Sequence, residues 1–186
     1  MQHRAFTTRY GGLARVLITK VGVCEPVTPE EAKTREIKLV NYSAIWDTGA
    51  THSAITKKVA TDLNLKPTGI VEVRYGNGKS TTNTYLVNIS LPNGVMVGQV
   101  RVTEAQLVPE DNVPEENQPQ LLVGMDIIGM GDFAVTNANG RTTLSFHIPS
   151  IKEIDFIPGA EDHNIKATGA NRHDRRAMKA RMRRGR

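Results

Sequence analysis

The chain has 186 residues, of which 39% are apolar and 23% are charged; this is typical of one folded domain with a tail and excludes a largely disordered chain. The net charge of +5 is concentrated in residues 171–186, which hold eight Lys or Arg and one acid, so residues 1–170 are slightly acidic. The longest apolar run is three residues, as in Val16–Ile18, and Cys24 is the only cysteine. Since a signal peptide or membrane span needs a longer run and a disulfide needs two cysteines, we expect a cytoplasmic protein with no membrane partner.

Short β-branched runs bounded by Gly, Pro or Asn indicate a mainly β domain over residues 5–157. The dipeptide Asn93-Gly94 predicts a hairpin turn between two of these runs, and Gly76-Asn77-Gly78 predicts the tip of a second hairpin. The predicted strands are Arg15–Val21, Glu36–Trp46, Ile70–Tyr75, Thr84–Leu91, Val95–Val102 and Thr142–Ile148.

Two helices are predicted among the strands. Ile55, Val59 and Leu63 recur every four residues, which indicates a main helix with Ser53 as its N-cap and Lys66-Pro67 at its end. A shorter helix is expected to begin at Asp126, whose carboxylate would cap it.

Two segments depart from the strand pattern. Residues 108–120 are acidic and Pro-rich, which predicts a solvated loop, with a lid as the alternative. Residues 158–186 predict a basic, flexible C-terminal extension, either a solvated tail that aids solubility or contacts an acidic partner, or a binder of nucleic-acid phosphates. The residues that would bind nucleic acid are Arg172, Arg175, Arg176, Lys179, Arg181, Arg183 and Arg184.

The segment most informative about chemistry is AIWDTGATHS, residues 44–53. Asp47 directly follows a predicted strand, which would hold its carboxylate on a rigid element. Gly49 allows the backbone to turn and another chain to approach closely, and the Thr48 hydroxyl can bond to the backbone. Taken alone, Asp47 could also be a structural carboxylate that accepts bonds from nearby amides.

About 75 residues later the chain reads LLVGMDII, residues 121–128. Together the two segments resemble the retropepsin-like aspartic proteases, most closely the bacterial and cellular single-domain members. The resemblance implies an all-β, closed barrel-like acid protease lobe with one main helix and a short second helix. It also implies an endopeptidase that cleaves extended peptide or protein substrates; a bacterial, phage or mobile-element setting stays open.

Aspartic protease chemistry uses two carboxylates about 3 Å apart that share one proton. The ionised carboxylate takes a proton from water, and the protonated one donates to the scissile carbonyl. This sequence holds a single Asp-Thr-Gly, at Asp47. The expected active form is therefore a symmetric homodimer in which Asp47 meets its symmetry mate.

The resemblance assigns Asp47 as the catalytic residue, and Thr48 and Gly49 as a loop that contacts the partner chain. It also implies a mobile flap, expected at the hairpin with tip Gly76-Asn77-Gly78, with the Asn93-Gly94 hairpin as the alternative. The implied substrate-binding residues are Gly49, Ala50, Thr51, Tyr75, Gly76, Asn77 and Gly78.

Other residues near the two segments have expected structural roles. Leu122–Gly124 would support the strand before Asp47, and Asp126 would cap a helix rather than act as a second acid. Trp46 either fills the core or restricts the pair of carboxylates. His52 is either an exposed or packed side chain or a residue that tunes that pair.

The five His residues show no metal-ligand spacing, so we expect no metal and no cofactor. The predicted function is a homodimeric aspartic endopeptidase. The alternatives are a catalytically weak or inactive peptide-binding or dimerisation module on the same fold, and a nucleic-acid-associated protein that acts through the basic tail.

Overall fold

The computed structural model describes residues 2–28, 30–34, 36–75, 78–108, 114, 117–167, 173, 176, 177 and 180, and the chain forms two compact units, Met1–Ile151 and Lys152–Arg186. The strands, all in the first unit, are β1 (Arg4–Arg9), β2 (Ile18–Cys24), β3 (Val40–Trp46), β4 (Ala54–Ile55), β5 (Gly69–Tyr75), β6 (Gly78–Ser90), β7 (Met96–Glu104), β8 (Pro119–Val123), β9 (Asp132–Thr136) and β10 (Thr143–Ile148). The helices are α1 (Glu31–Thr34), α2 (Lys57–Asp62), α3 (Met125–Ile128) and, in the second unit, α4 (Ile157–Ala167), and a 3-10 turn covers Ala138–Gly140.

Six strands of the first unit close into a barrel. Around the barrel the order is β2, β3, β8, β4, β7 and β6, and β6 pairs back with β2. Most neighbours are antiparallel, but β8 runs parallel to β3, and β4 runs parallel to β7. Strand β5 pairs with β6 in a long hairpin. This architecture, with α2 and α3 as its main and second helices, confirms the predicted all-β, barrel-like fold.

The barrel interior is filled by alternate residues of its strands, because successive side chains of a strand point to opposite faces. Val87, Ile89, Val102, Leu121 and Val123 of β6, β7 and β8 all have no exposed surface. Burying each side chain of this size contributes roughly 1.5–3 kcal/mol. The apolar, β-branched runs thus provide both the strands and the core.

A second, three-stranded antiparallel sheet has the order β1, β10, β9. Each of its strands contributes one aromatic ring, from Phe6, Phe146 and Phe133. These rings surround Trp46 of β3, with ring centroids 5.6, 5.3 and 5.9 Å from it. Aromatic pairs at such separations add to the stabilisation from burial alone, so this cluster joins the small sheet to the barrel.

The main helix begins later than its apolar spacing predicts. Ala54–Ile55 form β4, and α2 follows Thr56, whose side chain makes no capping hydrogen bond. The prediction of Ser53 as the N-cap was wrong, because its hydroxyl donates to Asp126 instead. The helix ends before Lys66-Pro67, as predicted.

The C-terminal unit contains α4. Of the basic residues proposed to contact nucleic acid, the structure describes Arg176, which is helical and exposed. Arg172, Arg175, Lys179, Arg181, Arg183 and Arg184 lie outside the described residues. Nucleic-acid binding by the tail therefore stays a prediction. Over the part of the chain that the structure describes, the helices are all too short or too polar to cross a membrane.

Candidate active site

Asp47 follows the last residue of β3, beside the parallel strand β8. The ladder pairs Ile45 with Leu122 and Trp46 with Val123, and the Asp47 N–H donates to the Val123 carbonyl over 3.0 Å. The predicted support of this strand by the Leu-Val-Gly segment is thereby confirmed. Two strands held side by side fix the point from which the Asp47 side chain leaves the barrel.

Trp46 and Asp47 are neighbours in the chain but differ in burial. Trp46 is 3% exposed, and its indole Nε1 donates to the Thr19 hydroxyl over 2.9 Å. Asp47 is half-buried. The hypothesis that Trp46 fills the core is confirmed.

The loop after Asp47 orients the carboxylate. The Gly49 N–H donates to Asp47 Oδ1 over 2.8 Å, and the Ala50 N–H donates to the Asp47 carbonyl over 3.3 Å. Thr48 and Thr51 are exposed. The Thr48 hydroxyl was expected to bond to the backbone, but within the described ranges it has no hydrogen-bond partner; its contact with a partner chain stays a prediction.

Helix α3 holds the middle of this loop from the other side. The Met125 N–H donates to the Ala50 carbonyl over 2.8 Å, and the Asp126 N–H donates to the Thr51 carbonyl over 3.2 Å. Gly124 lies so close to the loop that an added Cβ would be 2.6 Å from the His52 carbonyl carbon. No side chain fits at this position, so glycine is what permits the contact.

Ser53 and Asp126 close the loop at its far end. Ser53 is fully buried, and it donates its N–H to Asp126 Oδ2 over 3.0 Å and its hydroxyl to Oδ1 over 2.8 Å. The Ile127 N–H also donates to Asp126 Oδ1, over 3.0 Å. The prediction that Asp126 begins and caps α3 was wrong, because the helix begins at Met125 with Gly124 at its N-cap position, which puts Asp126 inside the first turn. The sequence analysis missed the bond to Ser53, which is 73 residues away in the chain.

His52 lies on the surface of the same loop. Its side chain is exposed, and it forms no hydrogen bond or ion pair within the described part of the chain. An exposed His was one of the two readings of this position. Across the described residues, no three His, Cys, Asp or Glu side chains are grouped to hold a metal ion.

The hairpin of β5 and β6 is the one predicted to be the flap, and that role stays a prediction. Its strands pair from Gly69 opposite Thr84 to Tyr75 opposite Gly78, while the tip residues Gly76 and Asn77 lie outside the described residues. Beside its stem is a cavity of about 510 Å³. The cavity is lined in part by Ser80 and Thr82 of β6, by Thr56 and Gln120, and by Gln106 and Leu107.

The Asn93-Gly94 hairpin joins β6 and β7 and is attached to β1. The Arg4 guanidinium donates to the Asn93 carbonyl over 3.4 Å, and the Asn93 amide donates to the Arg4 carbonyl over 3.3 Å. The predicted turn is confirmed, with Gly94 at a φ of +75°. Reciprocal bonds to a neighbouring strand hold this hairpin in place.

The candidate site is therefore the Asp47 carboxylate at the end of β3, which is held by the Gly49 N–H. The hairpin of β5 and β6 is a separate part of the same sheet. A family model described as aspartyl protease matches residues 35–127, which is half of the chain. The chain belongs to the aspartyl protease family, as its two sequence segments predict.

One solved structure similar to this chain is a retropepsin-like aspartic protease from Rickettsia conorii. It is 15% identical, covers 79% of this chain and 96% of its own, and superposes with a TM-score of 0.47. No curated protein sequence matches this chain.

Proposed function

We propose that the protein is an aspartic endopeptidase that works as a homodimer, in which Asp47 and its symmetry mate activate water. The observation that carries the proposal is the Asp47 carboxylate itself. It lies half-buried at the end of β3 and accepts the Gly49 N–H over 2.8 Å. A carboxylate fixed in this way is prepared to meet a second one without first losing conformational freedom.

The second carboxylate is proposed to come from another copy of the chain. The sequence has one Asp-Thr-Gly. Asp126 is the acid that follows the downstream Leu-Val-Gly segment, and its oxygens already accept two donors from Ser53 and one from Ile127. Symmetry then places Asp47 and Thr48 of both chains around one two-fold axis.

In the proposed reaction, the two Asp47 carboxylates share one proton, because two negative charges at such a short distance would repel each other. The ionised member takes a proton from water, and the water oxygen bonds to the scissile carbonyl carbon. The protonated member donates its proton to the carbonyl oxygen. The tetrahedral intermediate then collapses and the C–N bond breaks. The carboxyl that took the proton from water donates it to the amide nitrogen, which leaves as an amine, and the other carboxylate takes a proton from one hydroxyl as the carbonyl of the new carboxylic acid forms.

An extended substrate is proposed to lie between the loop and the flap. The substrate would contact Gly49, Ala50 and Thr51 of the loop on the side opposite the flap. The flap would be the hairpin with Tyr75, Gly76, Asn77 and Gly78 at its tip, whose strand edges can pair with a peptide backbone. The alternative Asn93-Gly94 hairpin is bonded to β1, which disfavours it as the moving element.

The test is digestion of a mixed peptide library at acidic and neutral pH by the wild type and by Asp47→Asn. We expect the substitution to lower cleavage by at least about 10²-fold, since it removes a group that transfers protons. Circular dichroism should be unchanged, because Asp47 is half-buried outside the core. Equal cleavage by both proteins would contradict the proposal.

The alternative is a peptide-binding or dimerisation module on the same fold. It predicts that the wild type and Asp47→Asn bind peptides equally and that neither cleaves them. The nucleic-acid hypothesis is tested by deleting residues 164–186 and measuring retention on nucleic acid at two salt concentrations. The cytoplasmic location also stays a prediction.

A further inference from the structure

We propose that Ser53 and Asp126 are positioning residues for the reaction, which together hold the loop that carries Asp47. The inference rests on the proposed function. Ser53 has 0% exposed surface and directs both of its donors to one carboxylate, over 3.0 and 2.8 Å. A residue that only filled space at this position would not need these hydrogen bonds, so the bonds point to a role in holding the loop.

The pair also joins the loop to β8 and α3. The Ser53 hydroxyl accepts the Gly124 N–H over 3.1 Å, and Asp126 Oδ1 accepts the Ile127 N–H over 3.0 Å. Two side chains thus connect the loop to residues 124–127. Because the Ser53 hydroxyl donates on one side and accepts on the other, its position is fixed from both directions.

The remaining bonds between the loop and residues 123–127 run between backbone atoms. They join Asp47 to Val123, Met125 to Ala50 and Asp126 to Thr51. Each bond at Ser53 involves at least one side chain, of Ser53 or of Asp126, so substitution can remove it while the bonds between backbone atoms stay. This separates the effect of the pair from the effect of the fold.

Asp126 is held by hydrogen bonds and not by an ion pair. Within the described ranges no Lys or Arg is paired with its carboxylate, whose two oxygens accept three donors. An Asn at this position offers one acceptor oxygen and one NH₂ group, and the NH₂ group would face a donor. Asp126→Asn therefore loses part of the network at nearly unchanged volume.

A shift of the loop is transmitted directly to the reacting group, because the Gly49 N–H is bonded to Asp47 Oδ1. Misplacement of a catalytic group by about 1 Å costs on the order of 10²-fold in rate. Substrate binding involves other contacts as well, so we expect the loss in kcat rather than in KM.

The experiment compares Ser53→Ala, Ser53→Thr and Asp126→Asn with the wild type in steady-state peptide cleavage. The matched control is Asp132→Asn, because Asp132 also accepts a serine hydroxyl and a backbone N–H, from Ser150 and Ile151, but lies on β9. The second readout is amide hydrogen exchange, which reports local opening whether or not peptide is cleaved.

We expect Ser53→Ala and Asp126→Asn to lower kcat by about 10²-fold at a KM within about twofold of wild type. Ser53→Thr, which keeps the hydroxyl, should recover most of kcat, and Asp132→Asn should retain it. The amides of Ser53 and Gly124 should exchange at least about tenfold faster in the two impaired variants, with β10 amides unchanged.

Two results would overturn the inference. One is an unchanged kcat together with unchanged exchange in the loop. The other is faster exchange in β10 as well as in the loop, which would show a general loss of stability. If the wild type itself cleaves no peptide, the proposed function fails, and exchange at Ser53 and Gly124 still decides whether the pair holds the loop.

Discussion

Trp46 and Asp47 are adjacent in sequence and have opposite surroundings. The Trp46 ring is packed among aromatic rings and its Nε1 bonds to Thr19, whereas Asp47 turns toward the loop and Gly49. The Asp47 backbone is in turn bonded to Val123. The position of the carboxylate is therefore set by the packing of the residue before it and by the strand beside it.

Gly124→Ala should lower both stability and activity. The new Cβ would be 2.6 and 2.8 Å from the carbonyl carbon and oxygen of His52 and 3.0 Å from the Ala50 carbonyl oxygen. These are backbone atoms, so the loop must move, at a cost of about 1–3 kcal/mol. Urea unfolding and peptide cleavage would measure both effects.

The control for this substitution is Gly11→Ala, since a Cβ at Gly11 meets no atom within 4 Å. We expect it to change the free energy of unfolding by less than about 0.5 kcal/mol. Equal effects of the two substitutions would show that the close approach of Gly124 to the loop is not what requires glycine.

At the scale of elements, α2 is tied to β3 by a small polar network. Asp62 Oδ2 accepts hydrogen bonds from Lys58 over 2.8 Å and from Tyr42 over 3.0 Å. The bond from Lys58 and, more weakly, that from Tyr42 lower the pKa of Asp62 below its ordinary value of 3.8. The ionised form of Asp62 thus favours the folded state.

This network should weaken in acid. Because the pKa of Asp62 is lower in the folded chain, its stabilisation is complete above the ordinary value and is lost as the pH falls through the folded value. Urea midpoints of the wild type and Asp62→Asn should differ most near pH 6 and converge toward about pH 2. Lys58→Gln should reduce the difference, and a gap that does not vary with pH would contradict this prediction.

The sequence predicts those elements whose signals are local. The Asn93-Gly94 turn and the strand before Asp47 follow from neighbouring residues, and both are present. A local signal was overlooked at α1, where the Thr28 N–H donates to Glu31 and the Glu31 N–H donates to Thr28, over 2.7 and 3.2 Å. That pattern of two residues three apart is a capping box.

The elements that sequence analysis missed depend on distant partners. Strand β1 has two apolar residues among its six and β9 has an apolar run of three residues, and both strands pair with β10. Ser53 resembles a helix cap until Asp126, 73 residues later, is placed beside it. The spacing of Ile55, Val59 and Leu63 predicts a helix, but it does not show that Ile55 belongs to strand β4 instead.

At the scale of the whole molecule, three tyrosines in separate places are bonded through their hydroxyls; Tyr42 and Tyr85 are buried and Tyr10 is half-buried. Tyr10 donates to the Ile18 carbonyl, Tyr42 to Asp62, and Tyr85 to Glu104. Burial raises the pKa of Tyr10, Tyr42 and Tyr85 above the ordinary value of 10.0, and the adjacent carboxylate raises that of Tyr42 and Tyr85 further.

These tyrosines should make the protein sensitive to alkali. A raised pKa in the folded state gives stability that is complete below the ordinary value and is lost as the pH rises above it. The free energy of unfolding should therefore begin to fall once the pH rises past the ordinary tyrosine pKa of 10.0 and continue to fall at higher pH, as measured by urea unfolding. Tyr85→Phe should make the fall shallower, and an identical slope in this variant would contradict the assignment.

The proposed dimer predicts the activity of mixed subunits. If wild type and Asp47→Asn are unfolded together in equal amounts and refolded, random pairing leaves about a quarter of the dimers with two Asp47 carboxylates. Activity should then be about a quarter of that of the same total amount of wild type. A value of one half would instead indicate that each chain acts alone.

The family match spans residues 35–127, yet the three rings around Trp46 belong to Phe6, Phe133 and Phe146. Residues on both sides of the matched region thus cover the indole of Trp46, which precedes Asp47. A protein truncated to residues 35–127 would lose all three phenylalanine rings and expose the Trp46 ring to solvent. A design that transfers the Asp47 loop to another protein must therefore include the sheet of β1, β10 and β9, or replace its rings with other apolar side chains that pack against Trp46.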